Sequence, residues 1–280
     1  MSDSSGQDYS IGDPRPASDR LDPKQSILMA CELDGFEYQL EPYFGCGHQC
    51  LYCYALCGPG GSWVREVKLY EDLPGRLKTA LAGLEPQRIY LGLYCDPYQP
   101  AEAEEGQTRK ALEIMAGAGF SASILTKSDL VMRDYDLLSA MPGASVGFSL
   151  GFTDEDLRQS LEEDTPPNER RIQALKAAKA AGLETSVLLC PILPFLTDLA
   201  ALVGSLEEAA DSVWIYPLAM NNDIDPNWQN VWQVIQRKHP ELAADFKEAV
   251  FDRDHDYWRG QRALAHELAL ESKNQFIIRL

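Results

Sequence analysis

Between residues 71 and 219 the chain alternates two hydrophobic periods, and that alternation restricts its fold more than any other feature. DLPGRLKTALAGL, TRKALEIMAGAG, RDYDLLSAM, NERRIQALKAAKAAG and DLAALVGSLEEAA carry helical spacing. Between them lie short apolar runs: RIYLGLY (88–94), SASILTK (121–127), ASVGFSL (144–150), ETSVLLCPIL (184–193) and SVWIYPLA (212–219). Near-continuous apolar strands separated by helices of roughly 10–15 residues predict βαβ units and a parallel sheet. With EYQLEPYF counted as the first strand, the pattern yields about six βα units. A barrel, complete or partial, fits that count better than a flat doubly wound sheet. The expectation is therefore α/β: a partial (β/α)6 TIM-like barrel with a C-terminal helical extension.

Three regions follow. Residues 1–28 are polar and punctuated by Pro and Asp, and predict a disordered tail. Residues 29–220 hold the barrel. Residues 221–280 change character: Trp228, Trp232 and Trp258 fall in helical segments that predict a cap packed on the barrel. Those tryptophans read as core rather than as platforms for stacked bases. No apolar run reaches the roughly 18 residues of a membrane span, and the N-terminus lacks the regions of a signal peptide. The expected location is the cytoplasm. A net charge of −18 speaks against nucleic acid as a partner, because such binding neutralises phosphates with a basic surface. The acid is densest in residues 101–165, with 13 Asp or Glu against 5 Lys or Arg.

Seven cysteines, an odd number, in a chain without an export signal argue for reduced thiols. Four stand in one loop, GCGHQCLYCYALCG (45–58), as Cys46, Cys50, Cys53 and Cys57, and such clustering favours a metal. Tetrahedral zinc wants four ligands, usually in two separated pairs, and no second pair follows downstream. A tight local zinc site using Cys57 or His48 as the fourth ligand is the alternative. A four-iron cluster held by three thiolates leaves one iron open to bind something else. The other unusual residues also sit at strand ends, where parallel βα folds build their sites: CDPYQP, TKS, SLG and CPILPF.

CGHQCLYC resembles the cluster signature of the radical S-adenosylmethionine (SAM) superfamily, in which an aromatic such as Tyr52 precedes the third cysteine. The wider phrase EPYFGCGHQCLYCYA is similar to the branch that contains spore photoproduct lyase. The resemblance continues, in order, through LGLYCDPYQPAE, SILTKSDLVMRDYDLL, VGFSLG, NERRIQAL and LLCPILPF, over roughly residues 40–200. It implies a [4Fe-4S] cluster on Cys46, Cys50 and Cys53, with SAM chelating the fourth iron. Reductive cleavage would then give a 5′-deoxyadenosyl radical that abstracts hydrogen from a substrate. It further implies SAM contacts from Tyr52, Cys95, Asp96, Lys127 (to the methionyl carboxylate) and Ser149. A flavodoxin- or ferredoxin-type electron donor is the implied partner.

In that branch a cysteine just after the second strand returns a hydrogen atom to the product radical. That position falls here on Leu93, and Cys95, two residues on, is the candidate donor. Arg171 reads equally as an anion contact or a surface residue, and His48 as an exposed loop imidazole, with a hydrogen bond to the cluster as its other reading. Three functions stay open: a radical SAM enzyme on an unassigned substrate, a DNA lesion-reversal enzyme, and a non-catalytic iron–sulfur or zinc scaffold. Cys57 is expected to be dispensable to the cluster.

Overall fold

The computed structural model describes residues 26–57, 66–206 and 209–280. The first strand, β1 (Leu28–Ala30), pairs antiparallel with β2 (Tyr38–Leu40), Leu28 opposite Leu40. Two short strands, β3 (Tyr43–Phe44) and β4 (Lys68–Leu69), pair with each other beside the main sheet. The expected first strand thus breaks at Glu41–Pro42, since proline has no N–H to continue a ladder. Parallel strands follow: β5 (Arg88–Leu91), β6 (Ser121–Thr126), β7 (Ser145–Leu150), β8 (Glu184–Ile192), β9 (Ser212–Pro217) and β10 (Gln275–Ile278). The sheet order is β1-β2-β5-β6-β7-β8-β9-β10, with every pair after the first parallel. This is the expected mixed α/β partial barrel.

Two regional expectations change. Residues 1–25 of the expected tail lie outside the described residues, but Ile27 and Leu28 are already buried core. The C-terminal region is not wholly helical. After helices at Pro226–Lys238, Ala243–Phe251 and Asp256–Glu271, β10 joins the sheet beside β9, Phe276 opposite Val213. RDYDLLSAM also departs from the predicted helix, forming a 3₁₀ stretch (Asp129–Asp134) and a single α-turn (Tyr135–Leu138).

Alternation along the strands separates two faces. Val187, Leu189, Val213 and Ile215 are fully buried, and they join Ala111, Leu112 and Met115 of the helix Gln107–Gly117 and Ala174, Leu175 and Ala178 of the helix Asn168–Ala180. Burying each Leu or Val contributes about 1.5–3 kcal/mol. The intervening residues, Leu188, Cys190, Trp214 and Tyr216, are less buried and face the concave side. A second apolar cluster roofs one end of the sheet. There Trp228, Val231, Ile235, Phe246 and Val250 of the C-terminal helices pack with Phe152, Leu161 and Leu193, and Leu51 and Tyr52 of the cysteine loop lean against them. Trp228 stacks on Trp232 at 5.3 Å and Trp258 is fully buried, so these tryptophans are core. At the end of β5, Gly92 adopts φ +103°, and a Cβ there would lie 2.1 Å from the Leu125 carbonyl oxygen. Only glycine lets β5 turn there against β6. No helix among the described residues is long and apolar enough to cross a membrane.

Candidate functional site

The loop that follows β3 carries Cys46, Cys50 and Cys53, and Gln99 clamps its start. The fully buried Gln99 side chain accepts from Gly47 N–H at 2.7 Å and donates to the Gly45 carbonyl at 2.9 Å. Cys50 interacts electrostatically with both Cys46 and Cys53, so the three thiols form one group. Burial pushes Cys46 up to about 12 and raises Cys50 and Cys53 as well. Thiols held neutral this firmly ionise when a metal supplies compensating charge. Among the described residues no three His, Cys, Asp or Glu side chains converge on a single-ion position. His48 is turned to other partners, its Nδ1 to the Asp164 carbonyl at 2.8 Å and its Nε2 to within 3.2 Å of the Asp96 carboxylate. The donor set, three thiols on a clamped loop with Cys50 buried and Cys46 and Cys53 partly exposed, fits a cluster with one open iron.

His48 is not the exposed imidazole the sequence suggests; it is 2% exposed. Its Nδ1 lies 2.8 Å from the Asp164 carbonyl, an acceptor, so Nδ1 carries a proton. Its Nε2 lies 3.2 Å from Asp96 Oδ2, in ion-pair range without hydrogen-bond alignment. Burial alone would raise the Asp96 carboxyl. The His48 charge, with hydrogen bonds from Thr126 Oγ1 and Lys127 N–H, outweighs burial and holds it at about 2. Asp96 Oδ1 accepts from Thr126 at 2.6 Å and from Tyr98 N–H at 2.8 Å, and Oδ2 from Lys127 N–H at 2.7 Å. Asp96 therefore ties the ends of β5 and β6 to the cysteine loop, with both oxygens committed inside the protein.

Lys127, one residue past β6, is placed differently. Among the described residues its ammonium makes no hydrogen bond or ion pair, and it stands 5.9 Å from the centre of the Tyr52 ring. It lies within electrostatic range of Cys50 and Glu162. An uncommitted cation beside three thiols suits a ligand carboxylate. The Tyr52 hydroxyl donates to Glu162 Oε1, and its ring lies 6.1 Å from that of Phe152. Ser149 Oγ donates to the Cys190 carbonyl at 3.3 Å.

Cys95 lies among buried partners. It is 2% exposed, and its thiol donates to Glu41 Oε2 at 3.1 Å with the Tyr43 carbonyl 3.3 Å away. That thiol is turned into the protein, which does not suit a donor that must reach a substrate radical. Its partner, Glu41, escaped the sequence reading. The buried Glu41 carboxyl accepts the N–H groups of Leu93, Tyr94 and Cys95 at 3.0–3.2 Å, shaping the turn after β5. Burial raises its pKa to about 7 against the lowering effect of those bonds.

Glu162 and Arg171 were also missed as a pair. Arg171 is fully buried, neither surface residue nor free anion contact. Its guanidinium donates to Glu162 Oε2 at 2.6 Å, Ser149 O at 2.9 Å, Pro166 O at 2.8 Å and Thr165 Oγ1 at 2.5 Å. Arg158 adds bonds to the Glu162 and Thr165 carbonyls. Residues 161–165 thus form a strap across the cysteine loop, where Leu51 N–H donates to Leu161 O at 2.9 Å, Tyr52 reaches Glu162 and His48 meets Asp164. Cys57 ends the 3₁₀ turn Tyr54–Cys57 and accepts a hydrogen bond from the Asn227 backbone N–H.

A parallel sheet curved into a partial barrel, with three cysteines on the loop after β3, defines a βα-barrel protein with a thiol site at the rim of its sheet. The model of the Radical SAM superfamily matches residues 40–202, and the chain belongs to that family. Membership implies a [4Fe-4S] cluster and SAM, and supports an enzyme. An uncharacterised protein of Methanocaldococcus jannaschii, MJ0683, is 34% identical over 62% of this chain and 67% of its own length. An uncharacterised protein of Mycobacterium tuberculosis, Rv2578c, is 31% identical over 76% of this chain and 67% of its own. Among solved structures, a spore photoproduct lyase variant with bound AdoMet and dinucleoside spore photoproduct superposes with a TM-score of 0.64. It is 16% identical, over 91% of this chain and 79% of the lyase. SuiB of Streptococcus suis, bound to S-adenosylmethionine, gives a TM-score of 0.53 at 14% identity, over 86% of this chain and 51% of SuiB. At such identities the likeness is one of fold.

Proposed function

We propose that this protein is a radical SAM enzyme whose Cys46, Cys50 and Cys53 hold a [4Fe-4S] cluster and whose Lys127 takes the methionyl carboxylate of SAM. The observation that carries it is the pairing of three electrostatically coupled thiols on one clamped loop with the uncommitted Lys127 ammonium. When bound, the two groups together supply a 5′-deoxyadenosyl radical able to abstract hydrogen from a substrate on the concave face. The chain's own residues do the positioning. Gln99 fixes the start of the loop, the 161–165 strap fixes its middle, and Asp96 sets the backbone that presents Lys127. In this reading a small flavodoxin- or ferredoxin-type protein delivers the electron. Lesion reversal is not the favoured reading: the net charge is −18, Leu93 replaces the donor cysteine, and the Cys95 thiol is tied to Glu41.

The direct test is anaerobic reconstitution with iron and sulfide, followed by SAM and a chemical reductant, with 5′-deoxyadenosine measured by chromatography. Formation of the nucleoside is expected. Its absence from protein that carries an intact cluster would support the non-catalytic scaffold instead. Lys127→Met is expected to weaken SAM binding by ~10–100-fold, the loss of one charge-assisted hydrogen bond of roughly 1.5–3 kcal/mol. Equilibrium dialysis of the cluster-loaded protein reads it, and unchanged affinity would remove Lys127 from the site.

A further inference from the structure

We infer that Glu102 is a positioning residue that holds the cysteine loop and the Lys127 segment in one register, so that both can engage the same SAM molecule. The inference rests on the proposed roles of Lys127 and the three thiols. It begins with the spacing inside CDPYQPAE. Gln99 N–H donates to the Asp96 carbonyl at 3.2 Å, and Glu102 N–H to the Gln99 carbonyl at 2.9 Å. Two consecutive i to i+3 turns therefore link polar residues at 96, 99 and 102. Asp96 bonds Thr126 and the Lys127 N–H, and Gln99 bonds Gly45 and Gly47 of the cysteine loop. Glu102 reaches both sides at once.

The Glu102 side chain is fully buried, although AEAEEG reads as a solvated acidic stretch. Its Oε2 accepts from the Tyr43 hydroxyl and from Thr108 N–H at 2.8 Å. Its Oε1 accepts from Arg133 Nη2 at 2.5 Å and from Arg109 N–H at 3.2 Å. Tyr43 lies three residues before Cys46, in the small apolar cluster that Cys46 and Cys53 pack against. Arg133 belongs to the 3₁₀ stretch Asp129–Asp134, which begins two residues after Lys127. One carboxylate thus joins the strand that enters the cysteine loop to the turn that leaves Lys127. A second buried carboxylate braces the junction. Asp134 accepts from Arg133 Nε at 2.9 Å and Nη2 at 2.8 Å, from Arg109 Nη1 at 2.9 Å and from the Tyr98 hydroxyl at 3.1 Å. Two inaccessible anions face two partly exposed guanidinium groups, and charge-assisted bonds of this kind fix geometry as well as adding energy. Because Glu102 also takes two N–H groups at the start of the helix Gln107–Gly117, the test has to separate position from stability.

Tyr43→Phe does so, since it removes one hydroxyl and leaves the ion pairs and the helix start in place. Cluster-loaded Tyr43→Phe is expected to keep its iron and sulfide and to bind SAM ~3–10-fold more weakly in anaerobic equilibrium dialysis. Glu102→Gln, which also removes the charge facing Arg133, is expected to weaken binding further. Glu104→Gln, the loss of an exposed carboxylate two residues on, should leave the affinity unchanged. The deciding readout is a double-mutant cycle with Lys127→Met. A residue that acts through the placement of Lys127 has no further effect once the ammonium is gone, so Tyr43→Phe should weaken SAM binding in the parent and not in Lys127→Met. A residue that serves the fold alone lowers the urea midpoint in both backgrounds and leaves the affinity of the folded, cluster-loaded protein unchanged. Equal affinity in parent, Tyr43→Phe and Glu102→Gln would overturn the positioning role, as would additive losses in the cycle. A parent that carries the cluster and binds no SAM would sink the enzyme reading and this inference with it. A parent that binds SAM, with variants that match it, would sink the positioning role alone.

Discussion

Changing any one of Cys46, Cys50 or Cys53 to Ala is expected to abolish 5′-deoxyadenosine formation, and Cys57→Ala is expected to keep it. The three thiols couple to one another behind the strap, and each would hold one iron, so two thiolates cannot retain the cluster in its open-iron form. Cys57 lies at the end of the 3₁₀ turn against the Asn227 amide. Its loss removes one partly exposed contact, worth on the order of 1 kcal/mol or less. The measurements are iron and sulfide content, the visible absorption of the reconstituted protein, and the nucleoside yield. A Cys50→Ala protein that retained full cluster and turnover would end the assignment. Loss of cluster in Cys57→Ala would move the fourth thiol into the ligand set.

Most of the barrel was legible in the sequence because its strands are apolar runs bounded by Gly and by helical periods. RIYL, SASILT, SVGFSL, ETSVLLCPI and SVWIYP all form strands within the stretches that the pattern marked. β10 was not legible. QFII is four residues long, follows a helix without a strong turn signal, and finds its partner only through a return from β9 more than fifty residues earlier. The cysteines announced themselves by spacing, but the residues that hold their loop did not. SLEEDTPP reads as a solvated acidic stretch, yet Glu162 is 1% exposed because Arg171 and Arg158 are buried with it. Nothing in a single sequence separates that glutamate from its exposed neighbour Glu163. Glu41 raises the same difficulty: its role comes from three backbone N–H groups some fifty residues away, and backbone groups leave no mark on a sequence. One signal was present. Arg171, the fourth residue of a helix that follows Pro-Pro and an acidic run, hinted at an ion pair.

Glu162→Ala is expected to destabilise the folded protein by about 3–5 kcal/mol, because it leaves the Arg171 guanidinium charged, buried and without its carboxylate. Both side chains are essentially inaccessible, 0% for Arg171 and 1% for Glu162, so water cannot take the lost partner's place. Glu162→Gln keeps the shape and one carbonyl acceptor for Arg171, with its NH2 turned to the Tyr52 hydroxyl oxygen, and should cost less. The pH dependence follows from the same pair. Burial alone would raise the Glu162 carboxyl, but the Arg171 charge, followed by that of Lys127, outweighs it and holds the acid below its ordinary value of 4.5. Its contribution is therefore fully present above that ordinary value and is lost as pH falls through the lowered one. Urea unfolding of the cluster-free protein at neutral pH reads the substitution, and repeating it at progressively lower pH reads the linkage. A Glu162→Ala midpoint equal to that of the parent would show that Arg171 finds another partner. Because the strap reaches the loop through Tyr52, Leu51 and His48, the same variant should also reconstitute less cluster than the parent. A strap that served stability alone would lower the urea midpoint and leave cluster content in the folded fraction unchanged. A strap that positions the loop moves both.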